Sequence, residues 1–218
     1  VILRRELAKK DAGALSRTLV ARGIYVRRPE PDGSEGNGLL PLKAAYEALG
    51  GQFVEHAGPT QLLPAVWLTG PVPRQYPERN WSGTGQVQTA AVLVEDTHPE
   101  VASVIVDTAD GLIVVSGCGH AGVINTIEYA RKVVREAPVF AALGGFHLFA
   151  ANDATLEWTG NKLKTFGLRY LLGAHCTGLE AVYRLRTMLG LTRKTAVVGA
   201  VGSSFTLGTG ISALSLAG

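Results

Sequence analysis

The chain of 218 residues is short of cysteine, of methionine, of long apolar runs and, over its first quarter, of histidine. Two cysteines exclude a disulfide-stapled miniprotein and a four-cysteine zinc module. No apolar run reaches the roughly 18 residues that a membrane span requires, so no membrane association is expected. The opening residues have no signal-peptide core, because Arg4, Arg5, Glu6, Lys9, Lys10 and Asp11 interrupt every apolar stretch. A cytoplasmic location follows as the expectation. The first residue is Val1 rather than Met, which suggests that the true start lies upstream. Ser203 and Ser204 lie outside any G-x-S-x-G elbow, and the scattered glycines form neither a P-loop nor a dinucleotide fingerprint.

What is present suits one globular domain over residues 1–218, since 46% of the residues are hydrophobic and only 18% are charged. The net charge of +3 sits entirely in residues 1–35, where eight basic side chains face five acidic ones. A nucleic-acid surface would add exposed aromatics, and this segment offers only Tyr25. A solvated helix face followed by a loop is the preferred reading, and nucleic acid is not the expected partner.

Leu3, Leu7, Leu15 and Leu19 recur at helical spacing and predict an amphipathic helix over residues 2–22, then a short strand at Ile24–Val26. The Pro- and Gly-rich stretch 29–38 is a loop, and 40–49 a helix stopped by Gly50 and Gly51. Short strands are expected at Gln52–His56 and Ala65–Thr69. A long loop follows from Gly70 to Gly85, in which Arg74 and Arg79 either clamp a phosphate or face solvent. Residues 87–95, 101–107 and 112–116 read as strands, the last two joined as a hairpin by Ala109–Gly111. Helices at 123–135, 154–166 and 179–189 then alternate with strands at 139–143, 170–172 and 196–198. The class is α/β, or α+β, with helices covering a sheet.

Three apolar strands each run into a glycine-rich loop carrying a histidine. LIVVS leads to GCGHAG with His120, VFAAL to GGFH with His147, and RYLL to GAHCTG with His175. Loops at that end of a parallel sheet collect ligands, and imidazole is the commonest metal-binding side chain. One such histidine is more often a loop hydrogen-bonder. Three in one topological position favour a metal or anion site. Cys118 and Cys176 flank two of them and could ligate a metal, act as nucleophiles or make a small buried contact; the last is preferred.

These loops resemble the metallo-β-lactamase superfamily, and within it the group named for dihydropterin–ribofuranosylaminobenzene 5′-phosphate synthase. The pieces that carry the resemblance are VWLTGPVPR (66–74), GLIVVSGCGHAGVINTI (111–127), LGGFHL (143–148), GAHCTG (173–178) and VGAVGSSFTLGTGI (198–211). The resemblance implies an αββα sandwich, with His120 and His175 as metal ligands and His147 in a catalytic position facing substrate or metal. The bridging Asp of many members gives way here to GGFH. A second metal is therefore left open, and Asp153 nearby is read as a loop or helix-cap residue.

The superfamily's H-x-H-x-D-H motif would precede the first helix, yet no histidine occurs before His56. Loss of a front segment is the expected explanation, leaving a chain that is poorly soluble alone or pairs with another copy as a homo-oligomer. The function so implied is hydrolysis of a phosphate ester or related phosphorylated small molecule by a metal-bound hydroxide. Zinc is the expected divalent transition metal, with iron or manganese as alternatives. The competing reading is a non-catalytic small-molecule or protein-binding module with a degenerate metal site.

Overall fold

The structure, a computed structural model, describes residues 1–78, 85–90 and 92–213. Helix α1 (Ile2–Ala8) stops after seven residues, and strand β1 (Arg17–Ala21) replaces the rest of the expected 2–22 helix. The breaker is local. The Gly13 N–H donates to Asp11 Oδ1 at 2.8 Å, and Leu15 adopts φ +51°. Such side-chain-to-backbone bonds offer the chain a turn in place of a helix. The leucine stripe is also not a core stripe, since Leu3 and Leu15 are largely exposed. Nor is the basic face fully solvated: Arg4 is buried, donating to the carbonyls of Ala14 and Leu49 at 2.7 and 2.9 Å. Residues 24–26 form a turn rather than a strand, because the Asn37 amide takes the carbonyls of Ile24 and Val26.

Helix α2 (Leu39–Glu47) leads to β2 (Gln52–His56), which pairs in parallel with β1. Strands β3 (Thr60–Leu63) and β4 (Val66–Leu68) form a hairpin. The strand expected at 87–95 is instead a hairpin of β5 (Gln86–Gln88) and β6 (Leu93–Glu95), closed where the Thr89 N–H donates to the Val92 carbonyl. Then come β7 (Ser103–Thr108), β8 (Gly111–Ser116), α3 (Val123–Val133), β9 (Val139–Gly144), α4 (Asp153–Thr165), β10 (Tyr170–Gly173), α5 (Leu179–Met188) and β11 (Ala196–Val198). A last hairpin, β12 (Ser204–Thr206) with β13 (Gly210–Ser212), was not legible in the sequence.

Seven strands make one mixed sheet in the order β11-β10-β9-β8-β7-β4-β3. From β8 to β11 the strands run parallel; β7, β4 and β3 are antiparallel neighbours. The expected α/β class is therefore observed. Beside this sheet, the described residues form only two-stranded sheets.

The helices follow their apolar spacing. Helix α3 buries Val123, Ile124, Ile127 and Ala130, one stripe of a 3.6-residue period. Helix α4 starts at Asn152, whose side chain accepts from the Thr155 N–H. These stripes meet Leu112 and Val114 of β8, Val139 of β9 and Leu171 of β10 in one core. No helix among the described residues is long and apolar enough to cross a membrane.

Candidate metal centre

Because β8, β9 and β10 are adjacent and parallel, the loops that follow them emerge side by side. They pack backbone against backbone. Gly144 has φ +114°, and a Cβ there would lie 1.9 Å from the Ser116 carbonyl oxygen; one on Gly145 would lie 2.2 Å from that of Gly117. Only glycine permits such an approach. Thr177 ties the second and third loops, its hydroxyl donating to the Gly144 carbonyl at 3.0 Å and accepting from the Phe146 N–H at 3.1 Å.

Two further loops join them. Strand β7 is antiparallel to β8, with Ser103 opposite Ser116, so the segment before β7 lies at the same end of the sheet. That segment carries Asp96, His98 and Glu100. Strand β4 in turn is antiparallel to β7, which brings the segment after β4, with Arg74 and Glu78, to this end. No sequence pattern marks a role for His98 or Glu78. The predicted 101–107/112–116 hairpin was the signal that could have found His98, since a hairpin puts the residues before and after it together.

The imidazoles form a chain. Ring centroids of His98 and His120 are 4.3 Å apart, those of His120 and His147 are 4.6 Å apart, and Phe149 lies 5.0 Å beyond His147. Burial, reinforced by His98 and His147, pushes the His120 imidazole down to about 4. Burial and then His98 and His175 lower His147 as well. Neutral rings with free lone pairs are the metal-binding form of histidine. His98, His147 and His175 also share left-handed backbone, with φ of 51°, 46° and 50°. Such strain in non-glycine residues gathers at functional sites. The fifth histidine, His56, hydrogen-bonds Thr60 at the end of β2 instead.

Cys118 and Cys176 come together as well. Their sulfurs are 3.1 Å apart, and Cys118 Sγ is 3.5 Å from His147 Nδ1. Burial and the neighbouring Cys176 push the Cys118 thiol up to about 12. Among the described residues, two groups bring three donor atoms within 4.8 Å of one another: Cys118, His147 and Cys176, and Asp96, His98 and Glu100. The second group is already engaged by a cation. Arg28 donates to Asp96 at 2.5 Å and to Glu100 at 2.7 Å, so a guanidinium holds the charge that a cation would need. His120 and His175 enter neither group.

Arg74 does not serve as a free phosphate clamp, nor does it face solvent. It is half-buried and donates to the His120 carbonyl at 2.6 Å and to that of Thr97, bracing the two loops whose imidazoles stack. Arg79 lies outside the described residues. Glu78 caps α3 from a distance, accepting from the N–H groups of Ile124 and Asn125 at 3.1 and 2.7 Å. Desolvation nonetheless pushes its carboxyl up to about 7. Gly122, at φ +94°, makes room for it: a Cβ there would lie 2.2 Å from the Glu78 carboxylate. Asp153, expected as a loop or helix-cap residue, is the first residue of α4 and pairs with Arg184, while the neighbouring Asn152 makes the cap.

This fold is shared with a solved structure of the β-lactamase superfamily. Tm1679, a metal-dependent hydrolase of that superfamily, superposes on 79% of this chain with a TM-score of 0.63 and 21% sequence identity, over 65% of its own length. No family model matches the chain. In sequence, the chain is 31% identical over 144 residues to the 7,8-dihydropterin-6-methyl-4-(beta-D-ribofuranosyl)-aminobenzene-5′-phosphate synthase of Methanocaldococcus jannaschii. The match covers 64% of this chain and 49% of that enzyme. MJ0448, an uncharacterized protein of the same organism, is 34% identical over 73 residues, 34% of this chain and 27% of its own length. The chain thus spans half or less of the curated relatives it matches. The fold and the sequence similarity agree with the resemblance that the loop motifs carry.

Proposed function

We propose that the chain forms the metal-holding and substrate-facing part of a hydrolase of the metallo-β-lactamase fold, acting on a phosphate ester or related small molecule. The observation that carries this is the row of His98, His120 and His147 on loops at one sheet end, with burial lowering the pKa of His120 and His147. The likeness to Tm1679, a metal-dependent hydrolase, and to the M. jannaschii synthase lends it support. The residue types fit a divalent transition metal, zinc first and iron or manganese next, because imidazole nitrogen is among its preferred donors.

His120 and His175 would hold the ion. A metal bound there supplies Lewis acidity and lowers the pKa of a coordinated water to about 7. The rest falls to this chain. His147, half-buried and lowered in pKa, would accept a hydrogen bond or proton from substrate near neutral pH. Arg74 would keep His120 in place through its carbonyl. His98 would buttress the His120 ring, 4.3 Å from it between centroids.

Zinc or manganese binding by calorimetry, with phosphomonoester and phosphodiester turnover alongside, tests the reading. Replacing His120 or His175 by Ala is expected to weaken binding by about tenfold to a hundredfold, while His147→Ala removes turnover. Unchanged metal affinity in both His120→Ala and His175→Ala would sink the assignment. Metal binding without turnover of either ester class would favour a binding module.

A further inference from the structure

We propose that Cys118, Cys176 and His147 form a separate three-ligand site for a soft or borderline transition-metal ion, distinct from the His120 and His175 ligands. The three side chains come from the loops after β8, β9 and β10, and their donor atoms lie within 4.8 Å of one another.

The spacing suits coordination. With metal–sulfur bonds of about 2.3 Å and metal–nitrogen bonds of about 2.0 Å, tetrahedral ligands stand about 3.8 Å apart for two sulfurs and about 3.5 Å for sulfur and nitrogen. Cys118 Sγ is 3.5 Å from His147 Nδ1, and the two sulfurs at 3.1 Å need only part slightly to admit an ion. Space is provided around one of them, because position 145 is glycine where a Cβ would lie 3.1 Å from Cys176 Sγ. His147 turns Nδ1 toward the sulfur from left-handed backbone at φ 46°, a conformation that the surrounding loops must hold in place.

Charge and softness agree with the geometry. A divalent ion displaces both thiol protons to solvent, and two thiolates then neutralise it, leaving an uncharged centre in a half-buried setting. Thiolate donors select zinc, cadmium or copper(I) over magnesium or calcium. Two sulfurs and one imidazole leave a fourth position open, as in catalytic rather than structural zinc sites.

Cobalt(II) titration of the reduced full chain under anaerobic conditions is the test, since thiolate ligation gives an intense near-ultraviolet charge-transfer band. One equivalent is expected to produce the band. Cys118→Ser and Cys176→Ser should each abolish it and weaken binding about tenfold or more, and His147→Ala should weaken it similarly. The band should persist in His120→Ala and His175→Ala, which separates this site from the one proposed above. A second readout needs no variant: one equivalent of zinc should protect both thiols of the wild-type chain from Ellman's reagent, and a chelator should expose them again. Cobalt binding without the band, a band that survives Cys118→Ser, or thiols that stay reactive with zinc present would each overturn the site.

Discussion

The front of the chain, up to about residue 104, and the stretch from Ile105 to Ala196 are built on different principles. Every residue of the main core cluster comes from the second stretch, where Ile105, Leu112, Val114, Ile124, Ile127, Val139 and Leu171 are sealed from solvent. The front keeps Ile2, Leu3, Leu42 and Leu63 largely exposed, and relies on polar ties such as Arg4 to backbone carbonyls and Arg28 to Asp96 and Glu100. Yet the front supplies His98, Arg74 and Glu78 to the site. The lesson is a division of labour. The rear builds a rigid sheet end, and the front reaches across it to brace the loops.

The largest test of that contrast is Leu171→Ala. Leu171 sits in β10 with no exposed surface, directly beneath the loop that carries His175 and Cys176. Truncation there should cost about 2–5 kcal/mol, as for other buried leucines, read as a drop in urea-unfolding free energy. A loss below 1 kcal/mol would mean that the rear is not the stabilising half.

Glu78 sharpens the comparison at the contact between the two regions. Its folded pKa, about 7, lies above the ordinary carboxylate value of 4.5, with burial as the main cause. Folding therefore favours the protonated acid. Its stabilising contribution is complete below pH 4.5 and is lost as pH rises through 7, a swing on the order of 3 kcal/mol. His120 works in the opposite sense, because its lowered pKa costs stability as pH falls below its ordinary value of 6.5 toward 4. The wild-type curve mixes the two, so the Glu78→Gln variant is the control. Between pH 4.5 and 8 the wild type should lose stability relative to Glu78→Gln. A pH-independent difference in unfolding free energy would refute the buried-acid account.

The rear was readable because its strands are continuous apolar runs and its helices keep a clean period, so β8 to β11 and α3 to α5 fall within a few residues of expectation. The glycines beside His120, His147 and His175 marked the loops correctly. The front misled because its periodicity was accidental. Leucines at helical spacing flank the Asp11–Gly13 turn, and the strand Arg17–Ala21 gains its identity only from parallel pairing with Gln52–His56, 35 residues away. Arg74, read as a phosphate clamp or a solvent-facing residue, is bound to two carbonyls that no sequence pattern announces. The Cys118–Cys176 approach is equally non-local, set by the stacking of three loops.

The smallest expected effect lies at the opposite edge of the sheet from β11. Strand β3 ends the sheet, and its Leu63 is 64% exposed beside a break in register between Gln61 and Leu63. A leucine already in water has little burial to lose, and a charge on an edge strand is well tolerated. Leu63→Lys should therefore leave the unfolding free energy within about 0.5 kcal/mol of wild type, measured in urea at low protein concentration. If it cost as much as Leu171→Ala, the front would have to bury this edge against something in solution, and the contrast between a packed rear and a polar-tied front would fail. Repeating the measurement across a hundredfold range of protein concentration separates the cases, because an edge buried between copies gives a concentration-dependent midpoint and a free edge does not.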